Sequence, residues 1–289
     1  MSIVNQWHEE ALNIKLDQRA WELRLLVFRA LKAAGRGHVG SALSLVEIVR
    51  VLYDDVLQFK ADDPQWINRD RCILSKGHGC LALYAILADK KFFPRGELDS
   101  FCQFDSILGG HPEPKVPGVE MSTGSLGHGL AVGVGMAIAA KIQKRKSKVF
   151  VIMGDGEINE GSVWESALSA GKHQLSNLTA IIDYNKMQSY GPLNEVLNLE
   201  PLSGKWQSFG FNVVEVNGHD VSALKTIFRD ISYESGKPNV VICHTVKGKG
   251  LKLAEDNAKW HHKSKLDMDE IAGIQDALTM EMNECELLV

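Results

Sequence analysis

The sequence predicts an α/β fold: a doubly wound, mostly parallel sheet with helices on both faces. Three observations predict it. Five short apolar runs alternate with stretches of helical periodicity, the pattern of strand–helix–strand units. Runs such as Val149-Phe150-Val151-Ile152-Met153 and Leu178-Thr179-Ala180-Ile181-Ile182 do not alternate apolar with polar, as strands covered on both faces need not. The 289 residues, 45% hydrophobic and 24% charged, have an ordinary globular composition, which excludes disordered, collagen-like and coiled-coil classes.

In chain order, Gln6 to Ala34 is rich in Ala, Leu, Glu and Arg, with Leu23, Leu26, Val27 and Ala30 at helical spacing. It reads as one opening helix stopped by Gly35. Strands are expected at Cys72 to Leu74, Lys148 to Met153, Leu178 to Asp183, Asn212 to Val216 and Asn239 to Cys243. Helical patterns at Gly127 to Ile142, Gly161 to Lys172 and Val221 to Tyr233 fall between them. The basic run Lys141 to Lys148 ends a helix and reads as a solvated face suited to the helix C-terminal dipole. Beyond Lys263 the chain turns acidic, and Met268 to Leu288 reads as an amphipathic helix or tail. The organisation expected is one α/β body over residues 1–263 with an appendage over 264–289.

Charge and cysteines narrow the classes. The 32 Lys and Arg against 36 Asp and Glu leave a net charge of −4, whereas a nucleic-acid binder needs a basic face. The longest weakly polar stretch, Leu130 to Ala140, is well short of the roughly 20 apolar residues of a membrane span. Cysteines 72, 80, 102, 243 and 285 form no C-x-x-C pair and read as reduced thiols. The opening MSIVNQWHEEALN lacks the basic start and apolar run of a signal peptide. No nucleic-acid or membrane partner is expected, and a cytoplasmic location is.

Two features carry chemistry. Five of the ten histidines directly follow Gly, at His38, His78, His111, His128 and His219; with 26 Gly in the chain, chance gives about one, and Gly permits close backbone approach to a ligand. These pairs suggest a cleft lined by imidazoles, and no pair has the spacing of a zinc site. The second feature is Gly154-Asp155-Gly156-Glu157 after one expected strand and Asn185-Lys186 after the next, with Asn185 30 residues beyond Asp155. A right-handed crossover places both at the carboxyl ends of neighbouring strands, where open sheets bind ligands. A carboxylate and an amide oxygen suit Mg²⁺ or Ca²⁺, whose shell phosphate oxygens often complete. The helix start near Gly161 adds a favourable dipole for a diphosphate.

Taken in order, Gly37-His38-Val39-Gly40, Ser75-Lys76-Gly77-His78-Gly79, Gly110-His111-Pro112-Glu113, Thr123-Gly124-Ser125-Leu126-Gly127, Gly154-Asp155-Gly156 and Asn185-Lys186 resemble the N-terminal, diphosphate-binding domain of transketolase. The resemblance runs to about Lys263. It implies thiamine diphosphate bound with Mg²⁺ or Ca²⁺ by Asp155, Asn185 and the main-chain carbonyl of Met187. It implies diphosphate contacts from His78, His261 and the Gly156 N–H, and approach of Gly124 and Leu126 to the aminopyrimidine and thiazole. His38, His78, His111 and His261 would contact substrate, and Glu160 and Glu165 match acids at the family's subunit interface. The implied reaction moves a two-carbon ketol unit from a ketose to an aldose, with the cofactor as electron sink.

The family's pyrimidine-binding and third domains are not matched, so the expectation is a split transketolase: this N-terminal subunit with a separate C-terminal subunit, in a heterotetramer. Two local departures are His128, where Gln is common, and Ser189-Tyr190 after the metal loop. The alternatives are the alpha subunit of a 2-oxo acid dehydrogenase, which lacks the Gly-His-Pro and Ser-x-Gly-His segments, and a non-catalytic binding homologue. Pentose phosphates, branched sugars and sulfonated sugars all remain open as substrates.

Overall fold

The computed structural model describes the backbone of residues 3–286 and the side chains of residues 6–282. Its opening differs from the single helix expected. Helix α1 (Ile3–Asn13) ends, and α2 (Gln18–Ala34) begins after a four-residue break. Asp17 makes the break: its side chain accepts the Ala20 N–H at 2.9 Å and caps α2, a local bond that competes with a continuous helix. Gly35 ends α2 as expected, in the left-handed conformation that relieves the last turn.

Two short helices, α3 (Val39–Leu43) and α4 (Val46–Val51), follow, the second running into a π-helical turn at Leu52–Val56. Then come β1 (Arg71–Leu74), α5 (Cys80–Asp89), α6 (Gly129–Ile142), β2 (Val149–Gly154), α7 (Gly161–Lys172) and β3 (Leu178–Tyr184). The chain continues through α8 (Leu193–Val196), α9 (Leu202–Ser208), β4 (Asn212–Asn217), α10 (Val221–Asp230), β5 (Asn239–His244) and α11 (Met268–Glu286). All five strands lie within a residue of expectation and pair in parallel, in the order β1-β2-β3-β5-β4. Helix α6 starts two residues late because Gly127 takes a positive φ of 85°, and α10 stops short of Tyr233.

The sheet divides two apolar layers. Along β2, Val149, Val151 and Met153 face a layer with α6, α7 and Trp206 of α9, whereas Phe150 and Ile152 face α2, α4 and α5. That two-sided burial is why the strand reads as an unbroken apolar run. Each fully buried Leu, Ile or Phe contributes about 1.5–3 kcal/mol. Helix α11 adds Ile271, Ile274 and Leu278 to the α2 side. The last three residues, including Leu288 of the expected terminal helix, lie outside the described residues, as does the side chain of Cys285. The other four cysteines are free thiols. Among the described residues, no helix is long and apolar enough to cross a membrane.

Candidate active site

Four of the five strands deliver their carboxyl ends to one cleft of about 460 Å³. Strand β1 leads to Lys76 and His78, β2 to Asp155 and Gly156, β3 to Asn185 and Met187, and β5 to Lys247. His38, His111, Gly124, Leu126, Glu160 and His261 complete the wall from loops and helix ends. The structure thus brings together every expected cofactor, metal and substrate residue. Glu165 stands apart, exposed on α7.

Four imidazoles gather around His38. Its ring centroid lies 5.3 Å from that of His78, 6.3 Å from His111, 5.8 Å from His261 and 4.4 Å from His262. Burial is the main cause that pulls His38 down to about 4, with the charges of His262, His111, Lys76 and Lys247 adding to it. Burial, then Lys247, pulls His261 to about 3. His78 is driven well below its ordinary value by burial and Lys76, and His111 is lowered by burial. At neutral pH these groups are therefore neutral rings, each with one N–H to donate and one nitrogen to accept. Gly124 allows the approach: at φ 139°, a Cβ there would stand 3.1 Å from the His111 ring.

The Gly-His pattern overreaches for two residues. His128 is exposed at the start of α6, its Nδ1 3.1 Å from the Leu126 carbonyl oxygen. His219 is buried and bonded to Glu47. Neither lines the cleft. Glycine before histidine marks a tight turn, and not every such turn faces a ligand.

The oxygen donors sit at the base. Asp155 Oδ1 accepts the Gly156 N–H at 2.7 Å and Oδ2 the Lys186 N–H at 2.5 Å. Asn185 Oδ1 accepts the Met187 N–H at 3.1 Å, and its Nδ2 donates to Asp183 at 3.3 Å. The Met187 carbonyl accepts the Lys247 Nζ at 2.7 Å. A cation therefore already stands on the carbonyl expected to bind metal. Carboxylate, amide oxygen and main-chain carbonyl form a hard-oxygen set fit for Mg²⁺ or Ca²⁺. Burial, then repulsion from Asp183, lifts Asp155 to about 6, the state of a carboxylate short of positive charge. Asn159 Oδ1, Gln188 Nε2 and His261 Nδ1 are buried in the wall without partners, as groups waiting for a polar ligand are. These residues fit a metal-bound diphosphate.

Sequence reasoning missed the supports. Lys76 is almost fully buried and bonds Asp183, which also accepts from Ser44 Oγ at 2.6 Å and from Thr245. Burial alone would raise Asp183, but the Lys76 charge and these hydrogen bonds hold it below its ordinary value. Glu157 accepts from the Gly127 and Gly154 N–H groups at 3.0 and 3.1 Å and from Ser75, tying three loops together. Burial raises it, and these bonds only partly offset that. Lys247 was findable: it follows β5 as Asp155 follows β2.

Comparison with known proteins identifies the family. The model of the transketolase thiamine diphosphate binding domain matches residues 17–287. The chain is 44% identical over 253 residues to an apulose-4-phosphate transketolase subunit from Phocaeicola vulgatus, covering 88% of this chain and 89% of that protein. It is 38% identical over 250 residues to the 6-deoxy-6-sulfo-D-fructose transketolase subunit SqwG of Clostridium sp. (strain MSTE9), covering 86% and 91%. The crystal structure of the Campylobacter jejuni transketolase superposes with a TM-score of 0.83 at 30% identity, over 93% of this chain and 45% of that one. The chain thus spans under half of that full-length transketolase but most of the two subunits it resembles. By these matches, the chain belongs to the transketolase family, over its thiamine diphosphate binding domain.

Proposed function

We propose that this chain is the N-terminal subunit of a split transketolase, transferring a two-carbon ketol group from a ketose to an aldose together with a separate C-terminal subunit. The observation that carries the reading is four neutral imidazoles facing one opening whose floor is Asp155, Asn185 and the Met187 carbonyl. Those three would hold Mg²⁺ or Ca²⁺. His78, His261 and the Gly156 N–H would hold the diphosphate, with Gly124 and Leu126 against the rings. Bound there, thiamine diphosphate would supply an electron sink for breaking and remaking a carbon–carbon bond.

His38, His78, His111 and His261 would orient sugar hydroxyls and stabilise developing alkoxides by donating hydrogen bonds. Residues 1–263 carry all of these groups, and beyond them α11 is an appendage that packs Ile271, Ile274 and Leu278 on the α2 side. Glu160 at the mouth and Glu165 on the exposed face of α7 would meet the partner, in a cytoplasmic heterotetramer. The relatives named for apulose-4-phosphate and for 6-deoxy-6-sulfo-D-fructose support a substrate with an anionic end, held in part by the partner. Mixing the purified chains should restore ketol transfer, and leaving either out should remove it. Robust transfer by this polypeptide alone, free of host enzyme, would overturn the two-subunit reading.

A further inference from the structure

Behind the cleft lies a second polar cluster that the reaction does not use directly. Arg24 of α2, Glu47 of α4 and His219 of the β4–α10 turn are all buried. Arg24 Nη1 and Nη2 donate to the two Glu47 oxygens at 2.5 and 3.1 Å, and His219 Nδ1 meets Glu47 Oε2 at 2.7 Å. The other ring nitrogen, Nε2, accepts the Val246 N–H at 2.9 Å. An acceptor at Nε2 requires the proton at Nδ1, so the ring donates to Glu47 and accepts from the chain. Arg24 Nε donates to the Lys249 carbonyl at 3.0 Å.

The two backbone groups so held, at 246 and 249, bracket Lys247. This strap leaves β5, sends Thr245 to Asp183 and Lys247 to the Met187 carbonyl, and is joined to α3 by the Gly248 N–H on the Gly40 carbonyl at 3.1 Å. We propose that His219, oriented by Glu47 and Arg24, is a positioning residue for the cofactor cleft: it fixes the Val246 amide and thereby the place from which the Lys247 ammonium reaches the cleft. The ring does not line the cleft. It acts through one amide and one lysine. The inference rests on the cofactor reading above only for its consequence; the geometry it asserts is the chain's own.

Two substitutions separate positioning from packing. In His219→Gln, the side-chain oxygen lies near the former Nε2 and keeps an acceptor for Val246. In His219→Asn, the amide lies near the former Nδ1, keeps the bond to Glu47 and releases Val246. Calorimetric titration of thiamine diphosphate with Mg²⁺ into the assembled two-chain complex should show about tenfold weaker binding for Asn and a value within about twofold of the parent for Gln. Adding His219→Asn to Lys247→Met should weaken binding no further than Lys247→Met alone, the non-additivity of residues acting through one another. Hydrogen exchange of the full chain should show the 244–250 amides opening faster in Asn but not in Gln. Equal behaviour of Asn and Gln in exchange and binding, or additive losses in the double variant, would overturn the proposal and leave His219 a core residue. If the parent complex itself bound no thiamine diphosphate, the cofactor reading would fail, while exchange would still decide whether His219 holds the strap.

Discussion

Two buried polar clusters stand on either side of the strap after β5, and they differ in one respect. In Arg24–Glu47–His219 every side-chain polar atom of the three residues has a partner. In the cleft, Asn159, Gln188 and His261 each keep a buried atom without one. Burial penalises charge in both places. At Glu47 it is overcome by the Arg24 charge and the His219 hydrogen bond, which bring the carboxyl down to about 2; at Asp155 burial wins and the carboxyl rises to about 6. Desolvation alone therefore does not distinguish scaffold from site. Between these two clusters saturation differs: the closed network is rigid, and the open one has room for a ligand.

The sharpest way to break this comparison is Asp155→Ala. It should abolish metal-dependent binding of thiamine diphosphate in the assembled complex, with a stability loss of about 1–3 kcal/mol from the Gly156 and Lys186 N–H groups left unpaired. Calorimetry that returned parent-like affinity would show that the open cluster is not the metal site. Next in size, Glu47→Ala leaves Arg24 buried without its counter-charge, and urea unfolding should report a loss of about 3–5 kcal/mol. A loss below about 1 kcal/mol would erase the distinction between the two clusters.

His111→Ala should cost on the order of 10²–10³ in transfer rate with cofactor affinity nearly unchanged. The reverse pattern, normal turnover with poor cofactor binding, would exchange the roles of His111 and His78. The smallest effect is in acid. Glu47 moves from an ordinary 4.5 to about 2 on folding. A lowered carboxyl contributes stability that is complete above the unfolded value and is lost as pH falls through the folded one. Melting temperature should thus fall more steeply across that window in the parent than in Glu47→Gln, and parallel curves would deny Glu47 its charged state.

The strands were legible because two-sided burial leaves an uninterrupted apolar run, and the cleft was legible because strand ends and Gly-His turns are local signals. The closed cluster was not. Arg24 and Glu47 are 23 residues apart and Glu47 and His219 are 172 apart, and neither separation leaves a periodic trace. Helix α5, Cys80-Leu81-Ala82-Leu83-Tyr84-Ala85-Ile86-Leu87-Ala88-Asp89, is apolar on every side and so gives no amphipathic period to read. The break before α2 turns on a single capping side chain, Asp17, inside an otherwise helical stretch.

The strand order has a consequence for synthesis. Strand β5 is last in sequence but lies between β3 and β4, so the chain emerges without the strand that joins β4 to the rest of the sheet. Until residue 244 has left the ribosome, β3 presents an unpaired edge and β4 has no neighbour to join. Such an edge is a template for pairing with other chains. The nascent protein should be most prone to aggregate in the interval between β3 and β5, and a stall or cleavage there would leave a three-stranded sheet, β1-β2-β3, with an open edge and β4 unpaired.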